Sequence, residues 1–350
     1  MKQILSSTAF GFHPGSFSFV MATGIVSLAV FQHGMETIAY VLFGVNTIAY
    51  AALVAVMVIR GVLFPGELLT DMTTLSRAPA LFTITAGTCI LGSQFLRFSV
   101  SFHTAAAFWF AGTFLWAVLS YVFFVAVIVR SNKTAGEAEL SGEWLLYAVG
   151  TQSLAILTIL LAPGLVPWQD DLALAAASFH LAGTALYFIL IVMIVRRMLF
   201  LNLPPEKLIP PYWINMGAAA ISTLAGADLI LHAGPGSMLE NVLPALRWST
   251  LLCWAVTTWW IPLIVILNVW RYIYKRFPIA YDVQHWSMVF PLGMYAACSF
   301  QLGNAMELTA LIRISQYFVY LALAAWIVTF LSMVTSKRAR LPSSGVRKDS

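Results

Sequence analysis

The chain has 350 residues, 60% of them hydrophobic and 9% charged, with a formal net charge of +5. No water-soluble fold hides that much apolar surface, so a soluble catalytic domain and a nucleic-acid-binding module are both excluded. A hydrocarbon core about 30 Å thick needs roughly 20 apolar residues per helix. Ten stretches meet that need: 12–30, 38–59, 79–96, 104–129, 143–162, 172–195, 210–231, 249–270, 285–302 and 314–334.

In chain order, the first span follows no basic cluster or convincing cleavage signal, so it is expected to be retained rather than removed as a signal peptide. It contains Met21-Ala-Thr-Gly24, and the third contains Thr83-Ile-Thr-Ala-Gly87. Between them the second span is bulkier, as is the fourth with Phe108-Trp109-Phe110. Glu143 opens the fifth span, where a carboxylate suits the helix dipole, and Ala148-Val-Gly-Thr-Gln152 follows. Asp170-Asp171 lies in a loop without a second acidic motif, which argues against a magnesium-pyrophosphate enzyme. His180 stands alone in the sixth span, readable as a core histidine or a proton relay. The seventh carries Gly217-Ala-Ala-Ala-Ile-Ser222 and then Asp228, open to an outer vestibule, an ion pair or proton coupling. The eighth has Trp259-Trp260 and the ninth Phe290-Pro291, while the tenth precedes Lys337, Arg338, Arg340, Arg347 and Lys348. The expected organisation is one ten-helix domain, 1–336, and a basic, disordered cytoplasmic tail, 337–350.

Of 19 Lys and Arg residues, only Arg97, Arg247 and Arg313 fall outside the N-terminus, the C-terminus and every second loop. Retention of positive charge in the cytoplasm then places both termini inside, in the plasma (inner) membrane, and makes the chain five helical hairpins inserted the same way. The fold expected is all-α and integral to the membrane, with odd spans inner and even spans outer around a central pore. Cys89, Cys253 and Cys298 are isolated and lack ligand spacing, so neither metal nor cofactor is expected.

Glycine supports the alternation. The odd spans hold Gly15, Gly24, Gly87, Gly92, Gly150, Gly217, Gly226 and Gly293; the even spans hold Gly44, Gly112 and Gly183. One glycine per odd span, Gly24, Gly87, Gly150, Gly217 and Gly293, recurs at intervals of 63, 63, 67 and 76 residues, the mark of a drifted repeat. These five are candidate pore-lining glycines; close helix packing is the alternative. Three residues before each stand Met21, Ile84, Tyr147, Ile214 and Phe290, a candidate apolar constriction or else ordinary packing. Parallel repeats favour a channel-like path over the rocking of inverted repeats.

Phe12-His-Pro-Gly-Ser-Phe-Ser-Phe-Val-Met-Ala-Thr-Gly24 and Trp286-Ser-Met-Val-Phe-Pro-Leu-Gly293 resemble the first- and ninth-helix signatures of the tellurite-resistance/C4-dicarboxylate transporter family. That family includes tellurite-resistance membrane proteins, yeast malate permeases, sulfite efflux pumps and plant slow anion channels. The resemblance implies a homotrimer with one pore per protomer, lined by the odd helices and closed by a phenylalanine on the ninth, here Phe290. Pro291 beside it is the expected helix kink. Small anions would pass, C4-dicarboxylates such as malate among them, with membrane lipids as the other contact. Dipoles from Thr23, Thr88, Thr151, Gln152, Asn215 and Ser222 are candidates to favour anions, unless they bond their own backbones. The rival is proton-coupled efflux of sulfite, tellurite or a similar oxyanion, with Asp228 and His180 as coupling candidates. A membrane enzyme or a non-transporting sensor is the more distant alternative, and no nucleophile or zinc motif supports an enzyme.

Overall fold

The computed structural model describes residues 10–129, 140–234, 236–278 and 280–339. Eleven α-helices follow in chain order among the described residues. They are α1 (Ser18–Gln32), α2 (Glu36–Leu63), α3 (Pro65–Thr73), α4 (Phe82–Arg97), α5 (Phe102–Val129) and α6 (Leu146–Leu161). The rest are α7 (Gln169–Phe200), α8 (Ile214–His232), α9 (Leu243–Val269), α10 (Trp286–Ala305) and α11 (Thr309–Ala339). Nine helical segments among the described residues are long and apolar enough to cross a bilayer. The tenth long helix, α10, is less apolar because Ser287, Pro291, Ser299 and Gln301 interrupt it; most of its residues are buried against protein, so it need not match lipid. The chain is a multi-pass membrane protein, and among the described residues its regular structure is all helical.

Two populations of helix separate by burial. The spans containing α1, α4, α6 and α8 are 78%, 89%, 94% and 94% buried, whereas those containing α2, α5, α7, α9 and α11 are between 11% and 33% buried. Each of α1, α4, α6, α8 and α10 packs on the next in that order, and α10 packs back on α1. The five form a closed ring. Every outer helix lies on the inner helix it follows in sequence and also touches the next one round the ring. Small residues on the inner helices allow the close approach that associates helices where hydrophobic burial gives no drive between them.

A 3-10 turn leads into each inner helix: Pro14–Phe17, Ala78–Leu81, Gly142–Leu145, Pro210–Trp213 and Val283–His285. These turns touch one another in the same cyclic order and make a collar at one end of the ring. Proline opens three of them, a position where its missing N–H costs nothing. Elsewhere Ser141 and Asp282 accept the backbone N–H of Glu143 and Gln284. Gly142 is required by contact: a Cβ there would run into the Pro211 carbonyl of the next turn. Gln284 Nε2 donates to Glu143 Oε1 at 2.9 Å, tying two turns that are not neighbours in the collar.

Several details depart from the sequence reading. Helix α3, between the second and third spans, was not anticipated; its Asp71 pairs with Arg60 at 2.7 Å and Arg77 at 3.1 Å. The outer helices run beyond the hydrophobic stretches, α7 covering 169–200 where 172–195 was expected. The last helix continues to Ala339, and 340–350, most of the expected tail, lies outside the described residues.

Candidate functional site: the axis of the inner ring

A cavity of about 20 Å³ is lined by Ile25 and Leu28 of α1, Ile90, Ser93 and Arg97 of α4, Ser153 and Ile156 of α6, Ile221 and Leu224 of α8, and Met294 of α10. All five inner helices contribute, so the cavity marks the axis of the ring. A space of this size holds about one water, too little for a multi-atom anion. Ser93 and Ser153 donate to their own helix carbonyls, Cys89 O and Val149 O, each at 2.9 Å, and leave the lining nearly apolar.

The lining has a register. Ile25, Ser153 and Ile221 each stand seven residues after the first residue of their helix, and Leu28, Ile156 and Leu224 ten residues after it. In α4 and α10 the corresponding residues, Ile90, Ser93 and Met294, come one position later. A helix returns to the same face after about four residues. Four residues toward the collar from Ile25, Ile90, Ser153, Ile221 and Met294 are Met21, Ala86, Val149, Gly217 and Phe290. Phe290 is thus the large ring at its level, it is 1% exposed, and its partner across the α8–α10 contact is a glycine. A Cβ on Gly217 would stand 3.4 Å from Phe290 Cε1 and 2.8 Å from Pro291 Cγ. Pro291 lies inside α10, where it removes the N–H that would have bonded the Ser287 carbonyl.

The expected constriction is only partly assembled. Met21, Ile214 and Phe290 share the axial faces of their helices, but Ile84 and Tyr147 do not. Ile84 lines an outward groove with Tyr50, Val54 and Phe114. The ring of Tyr147 packs on Phe82 at 4.8 Å and on Phe124 of outer helix α5 at 5.3 Å. The reason is register. Measured from the start of its helix, the chosen glycine comes one residue earlier in each of the first four repeats: Gly24 after Ser18, Gly87 after Phe82, Gly150 after Leu146 and Gly217 after Ile214. Each single residue is a rotation of about 100°. Accordingly the five glycines are contact points, not open lining. Added Cβ atoms would meet Ile90 from Gly24, Val20 from Gly87, Phe82 from Gly150, Pro291 from Gly217, and Ile25 and Val26 from Gly293, each on a neighbouring inner helix.

The polar candidates also face elsewhere, because outer-helix aromatics need acceptors in a lipid-facing layer. Trp326 Nε1 donates to Thr23 at 2.9 Å and Trp116 Nε1 to Thr151 at 2.8 Å, while the Thr88 and Tyr50 hydroxyls meet at 3.0 Å. Gln152 donates to the His180 carbonyl and the Thr184 hydroxyl, both at 3.0 Å, and its Oε1 lies 3.1 Å from His180 Nδ1. His180 is therefore held on outer helix α7. Ser222 donates to Ala218 O, and the buried Asn215 side chain has no partner among the described residues.

Polarity on the axis appears instead at the end remote from the collar. One turn beyond Leu28, Ser93, Ile156 and Leu224 stand Gln32, Arg97, Leu160 and Asp228, with Gln301 two turns beyond Met294. Arg97 Nη2 donates to Asp228 Oδ1 at 2.8 Å and Oδ2 at 2.6 Å. Gln301 Nε2 donates to Asp228 Oδ1 at 2.6 Å, and Gln32 Nε2 to Gln301 Oε1 at 3.4 Å. Asp228 is thus paired with Arg97, the second of the three roles open to it in the sequence. Sequence reasoning passed over Arg97 and both glutamines as site residues; counting in steps of four and seven from the five collar turns finds them.

A family model described as SLAC1, voltage-dependent anion channel, matches residues 11–334. The chain belongs to this family. An uncharacterized transporter of Methanocaldococcus jannaschii is 22% identical over 326 residues, covering 91% of this chain and 92% of the relative. A sulfite efflux pump of Arthroderma otae is 21% identical over 343 residues, covering 91% and 89%. An uncharacterized membrane protein of Mycobacterium tuberculosis is 37% identical over 154 residues, 44% of this chain and 77% of its own length. Family and relatives make anion transport, not catalysis, the class of activity.

Proposed function

We propose that small anions cross the membrane along the axis of the five inner helices, and that Phe290 closes this path. The observation that carries the reading is the axial register: a narrow lining from all five inner helices whose one charged residue, Arg97, is paired with Asp228, with Phe290 one turn from its edge on the α10 face that holds Met294. An apolar constriction of that kind blocks an ion sterically and by excluding its water. The touching collar turns support five hairpins of like orientation, since each inner helix begins at the collar. With positive charge concentrated in the loops on that side, the collar faces the cytoplasm, as do both termini, in a plasma membrane. One such path per protomer in a homotrimer is the assembly proposed.

Two substrate readings follow. Channel-like passage of monovalent anions and C4-dicarboxylates such as malate suits a lining that is apolar apart from the paired Arg97. Proton-coupled efflux of sulfite or tellurite is the second, favoured by the fungal relatives named as sulfite efflux pumps. Purified protein in planar bilayers, tested with chloride, nitrate, sulfite and malate, separates them. The Phe290→Ala variant should carry at least tenfold more anion current than the parent, on the order of one gating contact's worth of barrier. Equal currents would reject Phe290 as the gate, and flux that requires a pH gradient would select the second reading.

A further inference from the structure

The ion pair at the far end of the axis joins helices that are not neighbours. In the ring α6 stands between α4 and α8, yet Arg97 of α4 bonds Asp228 of α8 directly. The bridge therefore spans the interior of the ring past α6, at the end of the small cavity that Arg97 itself lines. Asp228 is fully buried and engaged by Arg97 and Gln301, whereas the Arg97 side chain keeps 18% exposure. Only Nη2 of Arg97 is bonded among the described residues, which leaves Nε and Nη1 as donors. A guanidinium stays charged and offers paired N–H groups matched to two oxygens of one oxyanion.

From this geometry we infer that the Arg97–Asp228 bridge is a second barrier on the axis and an oxyanion site, opened when an anion takes Arg97 from Asp228. The inference rests on the axial path proposed above. Asp228 sets the strength of the site. A lone buried Arg would hold an anion too tightly to release it, and conduction needs binding that is only moderate. Competition from the carboxylate weakens the hold without removing the cation. Gln301 steadies Asp228 once Arg97 leaves, and Gln32 in turn steadies Gln301. The ligand class is a small trigonal oxyanion or carboxylate, in preference to a halide that cannot engage two donors in one plane.

The test reads binding and flux separately. In thermal unfolding of purified protein at constant ionic strength, sulfite and nitrate should stabilise the parent more than chloride or bromide does. Asp228→Asn should bind these oxyanions roughly tenfold more tightly, about the strength of one charge-assisted hydrogen bond, and Arg97→Gln should lose the effect. On a Phe290→Ala background, Asp228→Asn should lower both the half-saturating sulfite concentration and the maximal flux. Arg97→Lys should reduce the nitrate-to-chloride ratio. The double variant Arg97→Gln with Asp228→Asn, which removes both charges at near-constant shape, guards against misfolding. If it folds and keeps the parent's oxyanion preference, the site is refuted. Unchanged oxyanion binding across all variants refutes it equally, whereas absence of current in Phe290→Ala with Arg97-dependent binding intact refutes only the gate.

Discussion

Substituting Gly24 by alanine discriminates between a glycine that lines an open passage and one that sits in a helix contact. In an open position Ala is favoured over Gly by about 1 kcal/mol in a helix interior. At Gly24 the new Cβ would stand 2.6 Å from Ile90 Cγ2, 2.9 Å from Asn46 Nδ2 and 3.3 Å from Gln94 Oε1. Ile90 Cγ2 is a branch methyl, so relief requires the whole side chain to rotate toward the axial cavity or α1 to move from α4. Asn46 Nδ2 and Gln94 Oε1 bond each other at 2.7 Å, so their retreat loses a buried hydrogen bond. Overpacking of this kind costs about 1–3 kcal/mol, which offsets the helix gain and leaves a net loss of up to about 2 kcal/mol. Gly44, on outer helix α2 with nothing within 4 Å of its added Cβ, is the matched control. Thermal unfolding of purified protein should show Gly24→Ala below the parent and Gly44→Ala at or above it. If Gly24→Ala unfolds at a higher temperature, to the same degree as Gly44→Ala, the contact assignment is refuted.

Other perturbations follow from the same contacts. Trp326→Phe removes the indole donor to Thr23 and should cost about 1 kcal/mol in unfolding experiments, with no change in anion selectivity. Asp71→Asn leaves Arg60, fully buried, without its carboxylate and should cost about 3–5 kcal/mol, read as a lower unfolding temperature or a loss of folded yield. His33, in the loop between α1 and α2, lies 2.7 Å from Ser315 through Nε2, and burial holds its imidazole below the usual range. As pH drops through about 6.5 the unfolded chain takes up a proton that the folded chain resists, so stability falls on acidification. His33→Gln should flatten that slope between pH 7 and 5; an unchanged slope would assign it to other groups.

Much of the fold could be read from composition. Inner helices pack against protein on all sides and so tolerate Gly, Ser and Thr, while outer helices meet lipid and are bulky; this contrast in composition separates the two populations. Helix phase was harder to read. Glycine is a poor marker of phase, because Gly24 sits in a contact of α1 with α4 and Gly293 in a contact of α10 with α1, so glycine spacing follows packing rather than the axis. The better marker is the collar, signalled by Pro14, Pro79 and Pro210 at the turns before three inner helices. Of the five residues that the glycine spacing selects, Met21, Ile214 and Phe290 lie on the axial face, whereas Ile84 and Tyr147 do not. The hydroxyls of Thr23, Thr88 and Thr151 were misread because a sequence does not say which aromatic N–H or O–H from an outer helix will claim them. Arg97 escaped because it ends its helix and resembles an interfacial residue until Asp228 is placed opposite.

Cysteine accessibility gives the most direct test of the axial path. In a Phe290→Ala background with Cys89, Cys253 and Cys298 replaced, single cysteines at Leu28, Ile156 and Leu224 would be exposed to an anionic methanethiosulfonate reagent during current recording. Modification there should block the current, while cysteines at Thr23 and Thr151, which face the outer helices, should leave it unchanged. Block at the latter pair with none at the former three would move the conduction path off the axis and contradict the account.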